Sequence, residues 1–419
     1  VPTRWSAVVI EIERVRPILL DAYGRALSAA HPEEVTFSAL ERLDTPAPVT
    51  LCALGKAAPA MARAAHRALG SSITEAVIVS DHSEELPEGF QLILGSHPIP
   101  DERSVIGGTA LIGAAQRAQP EGTLVVLVSG GGSALAEVPA GDLTIADIAA
   151  TNTALILASV PIGEVNTVRR HLSLLKDGGL RRVSSAPTLT LCVSDVAGGP
   201  PSAIASGPTL PDGSTPADAL AVLDRHDLLE SVPVDVVRLL ESAPDRGRDG
   251  QPHHVEVVAD GGVAADAAAA ACASQGLDAV VVIRTLSGDA SSEASKLMGG
   301  AQPGIVSIAA GETTVAVGGS GSGGRNQHAA LTVALAVEGT AAVFAALGTD
   351  GRDGPTDATG AIVDGGTAGR IREAGIDPAE ALRSFDSHPA LDAAGDLIRT
   401  GRTGTNVGDL WLAWQPEVR

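Results

Sequence analysis

Short, nearly uninterrupted apolar runs alternate with alanine-rich helical stretches along all 419 residues, and this alternation limits the fold more than any other feature. The runs at 49–54, 124–128 and 189–193 have no polar face, which is the signature of strands covered on both sides. Weaker strand signals lie at 76–80 and 91–94. Helical patterns over 5–30 (with Pro17 inside), 57–69, from Asp101 to about 118, 144–159 and 166–175 separate the strands. Such alternation predicts a parallel sheet with helices on both faces. A polar, Pro- and Gly-bearing stretch at 244–254 breaks the rhythm, so domains are expected at 1–245 and 246–419. The second half restarts with strands predicted at 256–259, 279–283, 304–309, 313–317 and 342–347 and helices at 262–275, 287–299 and 325–337. The chain is therefore read as α/β throughout, in two domains.

Charge narrows the function. Fifty acidic residues against 29 basic ones give a formal charge of −21, which argues against nucleic acid or an anionic membrane as partner. Aromatics are only 2%, so the cores must be built from Ala, Val, Leu and Ile. Cys52, Cys192 and Cys272 stand far apart with no CxxC pair, which suits a reducing compartment. Charges at Arg4, Glu11, Glu13, Arg14 and Arg16 interrupt any leader-like apolar segment, and the apolar stretch 329–347 is broken at Glu338-Gly339-Thr340. A soluble cytoplasmic protein acting on small molecules is the expectation; a homodimer is compatible with it. Only three lysines occur, Lys56, Lys176 and Lys296, against 26 arginines. Lysine in such a chain is expected where a compact ammonium is needed at a point.

Six stretches are candidates for chemistry. Ser129-Gly130-Gly131-Gly132-Ser133 follows a buried strand, where backbone N–H groups and a helix start can approach an anion. Gly318 to Gln327 contains GxGxxG at Gly319, Gly321 and Gly324, read as following a strand and opening a helix; Gly323, Arg325, Asn326 and Gln327 add backbone, guanidinium and amide donors for phosphate. Asp350 lies 26 residues beyond Gly324, near where a ribose-binding acid of a nicotinamide enzyme would fall. Asp350 and Asp353, in an acidic glycine-rich loop after a strand, also suit Mg²⁺ shared with a phosphate. Asp195, at a strand end, can accept a proton from a hydroxyl or bind metal. Lys56, after Gly55, sits at a strand-to-helix junction without P-loop spacing. Asn166, Arg169, Arg170, His171 and Lys176 form a basic group suited to a carboxylate or phosphate.

Taken in order, these segments, together with Gly95 to Asp101, Gly311-Glu312-Thr313-Thr314 and Thr403-Gly404-Thr405-Asn406-Val407, resemble the class II glycerate 2-kinases with a MOFRL-type C-terminal domain. Some members of that family are labelled hydroxypyruvate reductases. The resemblance spans nearly the whole chain. It implies a Rossmann-like N-terminal domain with a parallel sheet, a second α/β domain with a mixed sheet, and an active site in the cleft between them. It implies ATP and Mg²⁺ as cofactors and phosphorylation of the 2-hydroxyl of D-glycerate, or a related small sugar acid, to 2-phosphoglycerate. By motif, Lys56, Asp195 and Arg325 match its catalytic lysine, acid and arginine. Asp350 and Asp353 match its acidic loop, and Asn406 its C-terminal asparagine. The chain departs from the family pattern at Asp177, Gly199, Pro200 and His328, where acids are lost or new groups appear. Rival readings are an NAD(P)H-dependent hydroxypyruvate reductase, resting on the glycine fingerprint and Asp350, and a non-catalytic sugar-acid binding module.

Overall fold

The computed structural model describes residues 4–417 except Ala197 and 245–252, and the side chains from residue 9 onward. A domain boundary at 245 thus falls outside the described residues. Two compact units emerge from the chain's internal packing. One comprises Pro32–Ser194 and Gly199–Val258; the other comprises Val1–His31, Asp195–Gly198 and Ala259–Arg419.

The first unit is organised by a six-stranded sheet. Its strands are β1 (Val49–Leu54), β2 (Ile73–Ser80), β3 (Gln91–Leu94), β4 (Thr123–Val128), β5 (Thr188–Val193) and β6 (His253–Ala259). They lie in the order β3-β2-β1-β4-β5-β6, and the pairings from β3 through β5 are parallel. This is the strand order of the dinucleotide-binding fold, reversing direction between β1 and β4. Every residue of β1, β4 and β5 is buried, as their continuous apolar sequence demands. Asp101 caps the helix Glu102–Arg117 through a reciprocal bond with Ser104, the start signal present in the sequence. Helices Ile145–Leu157, Ile162–His171, Pro216–Arg225 and Val234–Ser242 build a second apolar cluster around Leu155, Val168, Leu223 and Val236.

The second unit holds a mixed sheet of β7 (Ala279–Leu286), β8 (Val306–Gly311), β9 (Val343–Gly348), β10 (Gly360–Asp364), β11 (Leu397–Ile398) and β12 (Asp409–Trp414). Its order is β11-β10-β9-β12-β8-β7; only β7 and β8 pair in parallel. The helix Arg4–Ala29 belongs to this unit, where Tyr23 Oη donates to the Gly348 carbonyl at 2.7 Å. Phe344 and Trp411 meet edge to face in its core, with ring centroids 5.8 Å apart. One strand expectation fails. Residues 313–317 form no strand; Thr314 makes a single bridge to Asp289 after β8 has ended at Gly311. The glycine-rich segment therefore leaves an irregular loop and not a strand tip. No described helix is long and apolar enough to cross a membrane.

Candidate active site

In an open parallel sheet, ligands bind beyond the carboxyl ends of the strands where the strand order reverses. In the first unit that point lies between β1 and β4. The chain leaves β1 as Gly55-Lys56 and β4 as Ser129 to Ser133. The two loops are joined: Lys56 N donates to the Gly130 carbonyl at 2.9 Å and Ala57 N to Ser129 Oγ at 3.0 Å. Gly55 has φ +122°, and a β-carbon there would sit 2.5 Å from the Ser129 carbonyl oxygen. Only glycine permits this approach. At Gly131 (φ +83°), a β-carbon would lie 3.2 Å from the Lys56 side chain and 3.4 Å from the His97 ring. Lys56 thus runs along the glycine loop to an exposed ammonium, with no carboxylate of the described residues in ion-pairing range.

The loop is held from its other side. Ser133 Oγ and Ser206 Oγ are 2.6 Å apart, and Ser206 Oγ donates to Asn166 Oδ1 at 3.1 Å. One helical turn on, Arg169 donates through Nε to Asn152 Oδ1 at 2.8 Å. Its two terminal nitrogens make no hydrogen bond to any described residue. Burial lowers the Arg169 pKa, and Glu137 opposes that shift. The rest of the basic group is engaged within the protein. Arg170 pairs with Asp212 and the Ser202 carbonyl, and His171 Nε2 meets Ser214 Oγ at 3.1 Å. Lys176 is 1% exposed and pairs with Glu137, itself buried. The expectation that Lys176 binds substrate is corrected here, because its ammonium is enclosed.

In the second unit, Arg325 opens the helix Arg325–Ala336. Its Nε and Nη2 grip both oxygens of the fully buried Asp409, at 2.7 and 3.1 Å, and Nη1 reaches Glu312 at 2.8 Å. Burial raises the Glu312 pKa; Arg325 opposes, while Asp409 and Asp195 push the same way. Asp195 therefore shares the field of this carboxylate.

Asp353 corrects another expectation. Its oxygens accept N–H bonds from Asn326 N (3.1 Å), Gln327 N (2.8 Å) and Gln327 Nε2 (3.0 Å). It caps the helix and is not placed as a metal ligand. Burial lifts its pKa to about 6 in spite of those bonds. The Asn326 and Gln327 side chains, expected to hold phosphate, are also enclosed. Asn326 Nδ2 donates to Asp409 Oδ1 at 2.8 Å and Oδ1 accepts from Trp411 Nε1 at 2.7 Å; Gln327 Nε2 also donates to Thr356 Oγ1 at 2.9 Å. Asp350 is exposed, with Oδ1 accepting from Arg352 N at 3.0 Å. Asn406 is half-buried and accepts from Gly408 N at 3.3 Å.

The glycine fingerprint has a packing explanation. A β-carbon at Gly321 would meet Asp386 at 2.6 Å, and at Gly319 and Gly324 it would overlap Ser384 and Asp353; Gly323 lies against Ser387. Ser322 N donates to Asp386 Oδ1 at 2.8 Å. These glycines admit neighbouring chain, and the sheet beside them is mixed. The one sheet with dinucleotide order has Gly55-Lys56-Ala57 at its first turn instead of GxGxxG. The glycine fingerprint therefore lends the nicotinamide reading no support. Among the described residues no three His, Cys, Asp or Glu side chains converge to hold a metal. A cavity of about 660 Å³ in the second unit is walled by Arg16, Arg370, Asp364 and Asp396, which pair among themselves.

Comparison with known proteins decides the family. Residues 18–241 match the model of a domain of unknown function, DUF4147, and residues 305–409 match the MOFRL family. A Pyrococcus horikoshii protein named glycerate 2-kinase is 35% identical, over 95% of this chain and 97% of its own. The chain belongs to the glycerate 2-kinase family. A Thermotoga maritima protein named D-glycerate 2-kinase is 36% identical over 95% of this chain and 98% of its own. The crystal structure of Thermotoga maritima glycerate kinase superposes with a TM-score of 0.89, at 33% identity, covering 96% of this chain and all of that one. An Agrobacterium vitis relative, 37% identical over 94% of this chain and 93% of its own, carries the provisional name hydroxypyruvate reductase.

Sequence reasoning missed Asp409 as the anchor of Arg325 in the second unit and, in the first unit, Asp81 as an acid acting on His97 and acted on by Lys56. Asp81 directly follows β2, whose place beside β1 only the strand order reveals. Asp409 opens an otherwise apolar strand, and that contrast was the available signal.

Proposed function

We propose that this member of the glycerate 2-kinase family transfers the γ-phosphoryl group of ATP to the 2-hydroxyl of D-glycerate, releasing ADP and 2-phosphoglycerate in the cytoplasm. The observation that carries the reading is Lys56: an unpaired ammonium, laid along a glycine loop at the point where the dinucleotide-type sheet reverses. In phosphoryl transfer the protein chiefly positions reactants and neutralises charge. Lys56 and the backbone of Gly130 to Gly132 would hold the transferred group. The free fork of Arg169 suits the substrate carboxylate. Asp195 would orient the hydroxyl and take its proton as the new oxygen–phosphorus bond forms and ADP leaves with the electrons of the old one. Asp409 fixes the plane of Arg325, which would meet negative charge on the nucleotide.

Mg²⁺ carried on nucleotide phosphates needs only one or two protein carboxylates. Asp350, exposed and with one oxygen uncommitted, fits that need; Asp353 does not. Bound there, the ion would neutralise phosphate charge. The test is ADP release with ATP, Mg²⁺ and D-glycerate, with the product identified by ³¹P NMR. A 2-phosphoglycerate signal is expected. NADH oxidation with hydroxypyruvate and no ADP release would refute the reading.

A further inference from the structure

His97 stands beside Lys56 at the reversal point of the first sheet. The residue follows β3, on the strand order's outer side, and its loop returns the ring to the β1–β4 crevice. Its ring packs where a Gly131 β-carbon would lie, as does the Lys56 stem, so the glycine brings the two side chains together. Its ring makes no hydrogen bond to any described residue. Neither does the Lys56 ammonium, nor the two terminal nitrogens of Arg169. Three groups able to carry positive charge thus stand without an ion-paired carboxylate among the described residues, in a chain of net charge −21. An arrangement of that kind is kept open for an anion.

We propose that His97, Lys56 and Arg169 form a proton-linked oxyanion site, in which a phosphoryl group bound beside the His97 ring and the Lys56 ammonium draws a proton onto the imidazole. The inference rests on the kinase reading for its physiological ligand, the phosphoryl group being transferred. The site's chemistry, however, stands on this unit alone. The charged groups facing His97 are Lys56 from the turn after β1, Asp81 from the end of β2 and Arg169 from the helix Ile162–His171. Partial enclosure of the ring first, then Lys56 and Arg169, hold its pKa below the ordinary 6.5, against the pull of Asp81. A doubly charged phosphoryl group reverses that balance: it offsets the two cations and favours imidazolium. A carboxylate carries half the charge, so glycerate alone should induce little protonation.

Inorganic phosphate is the first probe, with 2-phosphoglycerate and D-glycerate as separate arms. Calorimetry at pH 7 in buffers of different ionisation enthalpy counts protons taken up on binding. Once the ligand's own release of protons on binding as the dianion is subtracted, the wild-type protein should take up a substantial fraction of one proton with phosphate and with 2-phosphoglycerate, and almost none with D-glycerate. His97→Asn, at an exposed position, should abolish the uptake and weaken phosphate binding by about 10-fold at pH 6.5, the effect of losing one charge-assisted hydrogen bond. ¹⁵N NMR of the His97 ring should show its pKa rising when phosphate binds. Unchanged proton uptake in His97→Asn, or no phosphate binding by an enzyme that turns over, would overturn the proposal. Absence of D-glycerate phosphorylation with the phosphate results as expected would instead refute the kinase reading and leave the oxyanion site standing.

Discussion

Gly55→Ala is the sharpest test of how the two loops build the site. The substitution forces an alanine to φ +122° and drives its β-carbon into Ser129. A non-glycine residue in such a region costs about 1–3 kcal/mol. Moving the loops apart also strains or breaks two bonds, Lys56 N to the Gly130 carbonyl and Ala57 N to Ser129 Oγ. Each contributes about 0.5–1.5 kcal/mol. The sum is about 2–6 kcal/mol, a large part of a domain's usual margin of about 5–15 kcal/mol. Surviving enzyme should be slower by about 100-fold, because a displacement of about 1 Å at a positioned group has that effect. Gly24→Ala is the matched control. It lies inside the helix Arg4–Ala29, nothing lies within 4 Å of its β-carbon, and it belongs to the other unit. There alanine should stabilise by about 0.5–1 kcal/mol. Urea unfolding with probes in each unit, alongside initial rates, measures both. An unshifted midpoint and a rate within threefold of wild type for Gly55→Ala would refute the claim that this glycine sets the loop contact.

Three further outcomes follow from the same structure. Lys56→Ala should leave the unfolding midpoint unchanged and lower kcat by about 100- to 1000-fold, the effect of removing one donor from developing charge; steady-state kinetics check it. Lys176→Met should destabilise the first unit by about 3–5 kcal/mol by leaving Glu137 buried and unpaired, while Lys176→Met with Glu137→Met should recover most of that loss in denaturant titrations. His253, whose Nε2 lies 3.0 Å from Thr190 Oγ1, is held by burial, then Arg181 and His254, at a pKa of about 4. Because the folded value lies below the unfolded 6.5, its contribution is present above pH 6.5 and is lost as pH falls toward 4. His253→Gln should flatten that part of the stability–pH curve, and a curve unchanged in shape would refute the assignment.

What the sequence revealed follows from how local each feature is. Strands buried on both faces announce themselves by composition, so β1, β4 and β5 and the loops leaving them were readable, and with them Lys56 and Ser129 to Ser133. The short C-terminal elements were not. β10, β12 and the helices Thr367–Glu373, Pro378–Arg383 and Ser387–Ala393 owe their form to packing around Trp411 and Phe344, which no period in the sequence betrays. The same distinction explains the misread glycines. Spacing alone cannot separate a backbone that admits a pyrophosphate from one that admits residues 384–387, since both need the missing β-carbon.

The three lysines show where chemistry and composition meet. An arginine-rich chain retains lysine at Lys56, Lys176 and Lys296. Lys296 is exposed and bonds Glu293 one helical turn away at 2.7 Å, a contact that arginine would make as well. The other two differ. At Lys176 the charge is fully enclosed and meets one carboxylate, whose second oxygen accepts the Val138 N–H at 3.0 Å, leaving nothing to receive the further donors of a guanidinium. Beside Gly131 the Lys56 stem passes within 3.2 Å of the space a β-carbon would fill, so a slender chain ending in a point charge fits where a planar fork would press on the loop. Lys296→Arg should therefore be silent in both stability and rate. Lys176→Arg should destabilise by overpacking, by about 1–3 kcal/mol. Lys56→Arg should keep the charge and still lose most of the turnover, and retention of full activity there would mean that position 56 needs only a cation and not a lysine.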